Sequence, residues 1–209
     1  MRQRKKPADA KATSSGEGDD SKPKNAEAAP AAVSFGAAFA CLAAIRVLSG
    51  LYNTISDCDE TFNYWEPTHY LVYGFGFQTW EYAPQYALRS WSYAGLHAGI
   101  VSMGKAVFES GELGKIGIFY FTRCTLGVVC AFCEAKFSTA VSRRLGPRVG
   151  QIALFFLICS SGMFHASTAF LPSTFCMYFV MLAYAAWFDD MHAAAVPLAI
   201  FCVLVSCWP

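Results

Sequence analysis

The chain has 209 residues, of which 55% are hydrophobic and only 15% are charged, and its formal net charge is +1. The first 32 residues hold seven of the Lys and Arg and five of the Asp and Glu, so the other 177 carry nine basic and ten acidic side chains. That is about one charge in nine residues, against about one in four in an average soluble protein. The composition excludes a basic nucleic-acid-binding protein and indicates an all-α polytopic membrane protein.

The N-terminal tail, residues 1–32, contains no Phe, Leu, Ile, Val, Trp or Tyr. It has nothing to bury, so we expect it to be disordered. Its first basic residues stand about 30 residues ahead of the first apolar stretch, which is too far for a cleavable signal peptide. The positive-inside rule places this tail in the cytosol.

Six apolar segments approach the length of a membrane span. They cover residues 33–55, 86–108, 116–135, 151–170, 173–188 and a sixth segment from Ala193. The sixth reaches Pro209 without a polar flank, which indicates part of a longer protein. Residues 33–209 are therefore expected to form a partial transmembrane bundle.

Alternation of these spans produces a conflict. With the tail in the cytosol, residues 56–85 face the opposite compartment and residues 109–115 return to the cytosol. Four later basic residues then fall on the non-cytosolic side, against the charge rule: Lys136, Arg143, Arg144 and Arg148. Either the third or fourth span is not a simple crossing, or the first helix alone sets the orientation.

Two charged residues lie inside the third predicted span. Arg123 and Glu134 are 11 residues apart, which puts them on one helical face but about 16 Å apart along the axis. Because charges are costly in lipid, we expect both to face the bundle interior and to pair with other groups there.

The nine cysteines do not predict a metal site. Cys130 and Cys133 have the spacing of a zinc or redox pair, but no second pair and no nearby His accompany them. The pair Asp57 and Asp59 is only a short and weak match to a metal-binding motif. We expect no metal.

The segment between the first two spans concentrates the acids. Five of the ten acids outside the tail fall within 25 residues, among two tryptophans, three tyrosines and three phenylalanines: Asp57, Asp59, Glu60, Glu66 and Glu81. Aromatic rings of this kind favour the membrane–water interface. The pattern predicts one or two short helices along the membrane surface.

Two interpretations of these acids are open. Asp57 and Glu60 have the spacing of a helix capping box. Asp59 and Glu66 are seven residues apart, which predicts one helical face with Asn63 between them. Such an acidic face beside aromatic rings is a candidate for acid–base chemistry.

Residues 57–70, DCDETFNYWEPTHY, and residues 76–82, GFQTWEY, resemble the first luminal loop of glycosyltransferase family 22. Residues 160–164 and 169–178 add weaker similarity. The resemblance implies a GT-C-type transmembrane helix bundle in the endoplasmic reticulum membrane, with the loop luminal. It also implies inverting transfer of mannose from dolichyl-phosphate mannose to a dolichol-linked oligosaccharide, forming α-1,2 linkages in N-glycan precursor assembly. The alternatives are a family relative with α-1,6 or GPI-anchor specificity, and a non-catalytic transporter or adaptor.

The resemblance also assigns roles to residues of the loop. The family's acidic pair falls on Asp59, as the base, and Glu60, as a second orienting carboxylate, with Asp57 as the alternative base. The expected substrate-binding residues are Trp65, Glu66, His69, Trp80, Glu81 and Arg89. Arg89 is the candidate partner of the lipid phosphate, or else it only reaches toward the interface. The lipid donor is a substrate, so no cofactor is expected.

Overall fold

The computed structural model describes residues 31–206, so all but the end of the predicted tail lies outside the described residues. This range is helical and contains no strand. Its α-helices are α1 Phe35–Tyr52, α2 Glu66–Tyr73, α3 Trp91–Phe108, α4 Gly114–Leu145, α5 Pro147–Cys159, α6 Ser161–Ala166, α7 Pro172–Phe188 and α8 His192–Ser206. Helices α1 and α4 are long and apolar enough to cross a membrane, while α5, α7 and α8 are apolar but shorter. The all-α prediction is confirmed.

Helices α1 and α4 pack against each other in opposite directions. The backbone N–H of Val33 donates to Ser142 Oγ at 3.2 Å, so the start of α1 meets the end of α4. We call this the tail end of the bundle. At the other end, which we call the loop end, a Cβ on Gly50 would lie 3.2 Å from the backbone nitrogen of Cys124. Small residues thus let the two backbones approach closely, as they do between helices in lipid.

Helix α3 does not connect the two ends of the bundle. Just before it, Arg89 lies 3.4 Å from Asp59. In its last turn, Lys105 Nζ lies 4.4 Å from the centre of the Tyr73 ring, and Lys115 Nζ at the start of α4 lies 4.7 Å from the same ring. Both ends of α3 therefore contact the segment that follows α1. The prediction that residues 86–108 cross the bundle and return residues 109–115 to the tail's side is wrong, because apolar length does not distinguish a span from a helix packed on protein.

The charge conflict depended on that extra crossing. Helix α4 has 32 residues, about 48 Å of helix, and it runs ten residues beyond the predicted end of the third span. Its basic residues lie at the tail end: Lys136 Nζ is 4.9 Å from the Phe35 ring, and Arg143 pairs with Asp189 at 2.6 Å. The start of α5 lies there too, since Gln151 donates to the carbonyl of Ala31 at 2.8 Å.

The predicted fourth span is two helices. Helix α5 ends at Cys159, and Ser160 Oγ caps α6 by accepting a hydrogen bond from Met163 N at 3.2 Å. Helix α6 lies at the loop end, where Asn53 Nδ2 donates to the carbonyl of His165 at 2.9 Å. The fifth and sixth predicted segments correspond to α7 and to the start of α8.

A buried ion pair joins α1 to α4. Arg46 donates through Nε and Nη2 to the two carboxylate oxygens of Glu134, at 2.9 and 2.6 Å, and both side chains are 0% exposed. Arg46 Nη2 also donates to the carbonyl of Leu157 at 2.7 Å. Arg123 is buried as well and donates to Thr168 Oγ1 at 3.3 Å. The prediction that both charges of the third apolar segment face the interior is confirmed: Glu134 pairs with Arg46 of α1, and Arg123 pairs with Thr168 in the connection between α6 and α7.

The cysteines with zinc-like spacing lie in the largest apolar cluster. Cys130 and Cys133 are buried there together with Phe170 and Tyr178. Their side chains take part in packing between α4 and α7.

Candidate active site

The loop acids are positioned by a helix that contains a π-helical turn. This turn, Glu60–Trp65, leads directly into α2, and the N–H of Glu66 bonds to the carbonyl of Thr61, five residues earlier. The wider turn brings Trp65 beside Glu60, and Trp65 Nε1 donates to Glu60 Oε1 at 3.3 Å. Isolated π-helical turns are frequent at functional sites because they turn side chains out of α-helical register.

Glu60 points into the protein and is only 3% exposed. Its Oε1 accepts the backbone N–H of Phe170 at 3.0 Å, from the connection between α6 and α7. This N–H would otherwise be buried without a partner. The predicted capping box is therefore half formed: Asp57 Oδ1 accepts from the N–H of Asp59 at 2.9 Å, but the Glu60 carboxylate is engaged elsewhere.

Asp59 points the other way, and its side chain is 52% exposed. It forms part of the wall of an open cavity of about 380 Å³, which we call the Asp59 cavity. The cavity is lined by Asp59, Phe62, Asn63, Phe77, Thr79, Trp80 and Glu81. Among the described residues, Asn63 Oδ1 and Thr79 Oγ1 are buried without a hydrogen-bond partner. A carboxylate, aromatic rings and unpaired polar atoms are the groups that recognise a sugar.

Arg89 holds the loop in place beside Asp59. Its Nε donates to Glu81 Oε2 at 2.6 Å, its Nη1 donates to the hydroxyl of Tyr64, and its Nη2 lies 3.4 Å from Asp59. Burial alone would lower the pKa of Arg89, but the hydrogen bond to Glu81 and the nearby negative charges outweigh it and raise the pKa. Arg89, the predicted partner of the lipid phosphate, therefore stays positively charged and already forms ion pairs with Glu81 and Asp59.

A tyrosine that does not line the Asp59 cavity holds two segments of its wall together. Tyr82 donates its hydroxyl to the carbonyl of Asn63 at 2.6 Å. Burial raises the pKa of Tyr82 above its ordinary value, so the hydroxyl remains a donor. This bond ties the 3₁₀ turn Trp80–Tyr82 to the π-helical turn.

Asp59 and Glu66 do not share a face, so that prediction is wrong. The π-helical turn adds a residue to the turn between them, which rotates Glu66 away. Glu66 Oε2 instead accepts from the N–H of Phe77 at 3.0 Å, and Trp65 packs between Phe119 and Phe170, with ring centres 5.0 and 4.7 Å away.

Three of the predicted residues, Trp65, Glu66 and His69, line a second cavity of about 260 Å³, which we call the Lys115 cavity. It is lined by Ile55, Thr61, Trp65, Glu66, Thr68, His69, Tyr73, Val101, Lys115, Ile118 and Phe119. The nine predicted site residues are thus divided: Asp59, Trp80 and Glu81 line one cavity, Trp65, Glu66 and His69 line the other, and Asp57, Glu60 and Arg89 line neither.

One group of side chains has the spacing to hold a metal ion. Ligand atoms of Asp57, Cys58 and Asp59 lie within 4.8 Å of one another, and all three residues are exposed. Elsewhere in residues 31–206 no group of three such side chains comes together. Asp59 also faces Arg89, which competes with a cation for its carboxylate.

The fold and the site define an all-helical protein with helices of membrane-spanning length and a sugar-sized cavity, containing a carboxylate, at one end. Residues 37–209 match the Alg9-like mannosyltransferase family, and the chain belongs to this family. The resemblance to glycosyltransferase family 22 is confirmed.

Curated relatives match most of the chain. It is 48% identical over 172 residues to the alpha-1,2-mannosyltransferase ALG9 of Homo sapiens. This aligned region covers 82% of the chain and 28% of the human protein. The chain is 45% identical to alg9 of Schizosaccharomyces pombe, covering 78% and 28%, and 39% identical to ALG9 of Saccharomyces cerevisiae, covering 60% and 22%. The chain thus spans less than a third of the length of these relatives. No solved structure matches it.

Proposed function

We propose that this chain is part of an inverting mannosyltransferase of N-glycan precursor assembly. Its donor is dolichyl-phosphate mannose, its acceptor a dolichol-linked oligosaccharide, and the linkage formed is α-1,2. The observation that carries the proposal is the half-exposed carboxylate of Asp59 on the wall of an aromatic cavity with unpaired polar atoms. The names of the relatives, alpha-1,2-mannosyltransferase, support the reaction and the linkage.

The proposed reaction is a single displacement. The Asp59 carboxylate accepts the proton of the acceptor hydroxyl as its oxygen bonds to the anomeric carbon of the mannose. The bond between that carbon and the phosphate oxygen breaks, and the phosphate leaves with the electron pair. Attack from the face opposite to the leaving group converts a β-linked donor into an α-linked product. Because a phosphate leaves without protonation, one carboxylate is enough, in contrast to the two that a glycosidase needs.

The structure favours Asp59 over the other two acids as this base. Glu60 cannot reach the Asp59 cavity, since it is buried and bonded to Phe170 N. Asp57 is exposed, but it does not line the cavity, and it caps the N–H of Asp59. Asp57 therefore serves to position the residue that acts.

We propose that the loop end faces the lumen of the endoplasmic reticulum and the tail end faces the cytosol. The basic N-terminal sequence precedes Val33, and Lys136, Arg143 and Arg144 lie at the same end. This orientation puts the basic N-terminal sequence and the basic residues of the tail end on the cytosolic side, as the positive-inside rule favours, while Arg89, Lys105 and Lys115 lie at the loop end. Helices α1, α4, α7 and α8 and the α5–α6 pair are the crossings, and α2 and α3 form a luminal cap.

The orientation is tested by inserting glycosylation acceptors into the full-length protein. Gly111→Asn with Leu113→Ser places one in the turn between α3 and α4, and Met191→Asn with Ala193→Ser places one between α7 and α8. We expect glycosylation of the first variant and not of the second, measured as a mobility shift removed by glycosidase. Modification of the second variant instead of the first would overturn the proposed orientation.

The base is tested by Asp59→Asn in microsomes that contain the full-length protein, with dolichyl-phosphate mannose and a lipid-linked acceptor. We expect transfer to fall by about 10²- to 10⁴-fold, the usual contribution of a general base, with normal protein level. The matched control is Asp57→Asn, which keeps the capping oxygen and should retain most of the transfer. Retained transfer in Asp59→Asn would rule out Asp59 as the base.

The linkage is tested with acceptors that lack different branches. If the α-1,2 proposal is right, mannose is transferred only to acceptors that retain the branch whose terminal mannose reacts at its 2-hydroxyl. Transfer that forms an α-1,6 bond, or transfer to a GPI-anchor precursor, would reassign the chain to another member of the family. Transfer should also survive EDTA, because the proposed displacement uses no metal.

A further inference from the structure

We propose that the Lys115 cavity binds a lipid phosphate, with the phosphate at Lys115 and the first apolar units of the lipid against the cavity wall. That the lipid is a polyprenyl phosphate rests on the proposed function, although the Lys115 cavity shares no lining residue with the Asp59 cavity, where the base acts. The cavity and its polar groups are observed independently of that function.

Lys115 is the cation of this cavity. None of the ion pairs within 4.0 Å in the described part of the chain includes it, although the Glu66 carboxylate lines the same cavity. Its Nζ lies over the rings of Tyr73 and Phe75, at 4.7 and 5.3 Å. Aromatic faces hold an ammonium group without neutralising it. Lys115 is therefore positioned as a charge for an anion that comes from outside the chain.

His69 positions this lysine. Its Nε2 lies 2.9 Å from Lys115 Nζ and its Nδ1 lies 2.9 Å from the carbonyl of Phe75. A carbonyl only accepts, so Nδ1 carries the hydrogen and Nε2 accepts from the lysine. Both ring nitrogens are thus engaged. His69, expected from the sequence to bind substrate, instead orients the group that binds the phosphate.

Two further polar groups of the cavity have no partner. Thr68 Oγ1 and the Tyr73 hydroxyl are buried, and neither makes a hydrogen bond within residues 31–206. Thr68 is only 1% exposed, so its unpaired hydroxyl is costly unless a ligand pairs with it. Hydroxyl donors beside an ammonium are suited to the several acceptor oxygens of a phosphate.

Most of the rest of the wall is apolar, and Thr61 and Glu66 are its other polar residues. Ile55, Val101, Ile118, Phe119 and the Trp65 ring line it, and they offer contact to a hydrocarbon chain but no group for a second sugar. Glu66 is the one carboxylate of the cavity, and its Oε2 is held by the N–H of Phe77. A phosphate attached to an apolar lipid therefore fits the cavity better than free inorganic phosphate.

Arg89 does not compete for this role. It is paired with Glu81 and lies near Asp59, so an approaching phosphate would meet carboxylates as well as the guanidinium. Lys115 is held by aromatic rings and an imidazole, and the one carboxylate of its cavity, Glu66, already accepts from the N–H of Phe77.

The test is binding of polyprenyl phosphate to the full-length protein in detergent, measured with a photoreactive lipid analogue and by competition. We expect Lys115→Ala to weaken binding by about tenfold, the loss of one charge-assisted contact, and Thr68→Val to weaken it several-fold. The matched control is Lys105→Ala. Lys105 also lies over the Tyr73 ring, but it pairs with Glu109 at 3.5 Å and does not line the cavity. Lys115→Arg should restore most of the affinity.

Two competitors identify the ligand. Polyprenyl phosphate should compete well, whereas polyprenol and inorganic phosphate should each compete poorly, because the cavity offers a charge and an apolar wall together. Equal competition by polyprenol, or equal loss of binding in Lys115→Ala and Lys105→Ala, would overturn the proposal. Since binding is measured without transfer, a failure here is distinct from retained transfer in Asp59→Asn, which concerns only the base.

Discussion

Two groups of arginine and carboxylate side chains occupy different regions of this molecule and serve different ends. In the middle of the bundle, Arg46 and Glu134 are fully buried and share two hydrogen bonds. At the loop end, Arg89 lies between Glu81 and a half-exposed Asp59. The first group is closed to any ligand, and the second leaves one carboxylate accessible at a cavity.

The difference shows why the chemical type of a residue does not reveal its role. A buried pair joins two helices and is costly to break, because the remaining charge cannot reach water. A pair at the rim can hold a loop and still present a carboxylate to a substrate. The variants below test this contrast, from the largest expected effect to the smallest.

Glu134→Ala should have the largest effect on stability. It leaves the Arg46 guanidinium buried without its carboxylate, which costs about 3–5 kcal/mol. The paired replacement Arg46→Met with Glu134→Met should lose much less, because neither charge remains. The measurement is the unfolding midpoint of the purified protein in detergent. A single variant as stable as the parent protein would contradict a structural role for the pair.

Arg89→Ala should loosen the loop and leave the bundle intact. The loss of the charge-assisted hydrogen bond to Glu81 costs about 1.5–3 kcal/mol, and transfer should fall because Asp59 is misplaced. Arg89→Lys keeps the charge but not the forked geometry, so it should recover only part of the activity. Limited proteolysis of residues 74–90, compared with the unfolding midpoint, separates the two effects. An unchanged cleavage rate would show that Arg89 does not hold the loop.

Glu60 distinguishes a positioning carboxylate from a catalytic one. Glu60→Ala leaves the buried Phe170 N–H without an acceptor and should cost about 1–3 kcal/mol. Glu60→Gln keeps an acceptor oxygen, so both stability and transfer should stay close to those of the parent protein. If Glu60→Gln folds normally and loses transfer as completely as Asp59→Asn, then the charge of Glu60 takes part in the reaction.

Arg144→Ala should have the smallest effect. Arg144 and Asp190 are 3.3 Å apart at the tail end, and their side chains are 54% and 65% exposed. Exposed pairs contribute up to about 1 kcal/mol. The unfolding midpoint should hardly move, and raising the salt concentration should not change that difference. A loss as large as that of Glu134→Ala would mean that the tail end is less hydrated than its exposure indicates.

The sequence predicted the helices better than it predicted their connections. The segments now seen as α1, α7 and α8 were located to within a few residues, because apolar length is a local property. Helix α3 was also found, but not its placement: its 18 residues are long enough to span a membrane, yet α3 is not among the described helices apolar enough to cross one. The contacts of Lys105 and Lys115 with Tyr73 decide its placement.

The candidate site shows the same division. The acidic and aromatic loop was evident from the sequence, and Asp59, Trp80 and Glu81 do lie together. Thr79 and Lys115 were missed, since a hydroxyl without a partner and a lysine without a carboxylate are defined only by their neighbours. The sequence around Lys115 even suggests a local ion pair, because Glu112 is only three residues away. Its lack of a carboxylate partner is therefore visible only in the structure.

The sequence by itself predicted a membrane protein and determined which segment concentrates its acidic and aromatic residues. Both follow from composition, because too few charges cannot hydrate a surface and clustered acids mark a polar segment. Only the tertiary structure decided that adjacent Asp59 and Glu60 face opposite ways, and that Arg46 partners Glu134. A single π-helical turn orients the two acids, and the packing of helices distant in sequence brings Arg46 to Glu134. Neither can be predicted from the local pattern of apolar and polar residues.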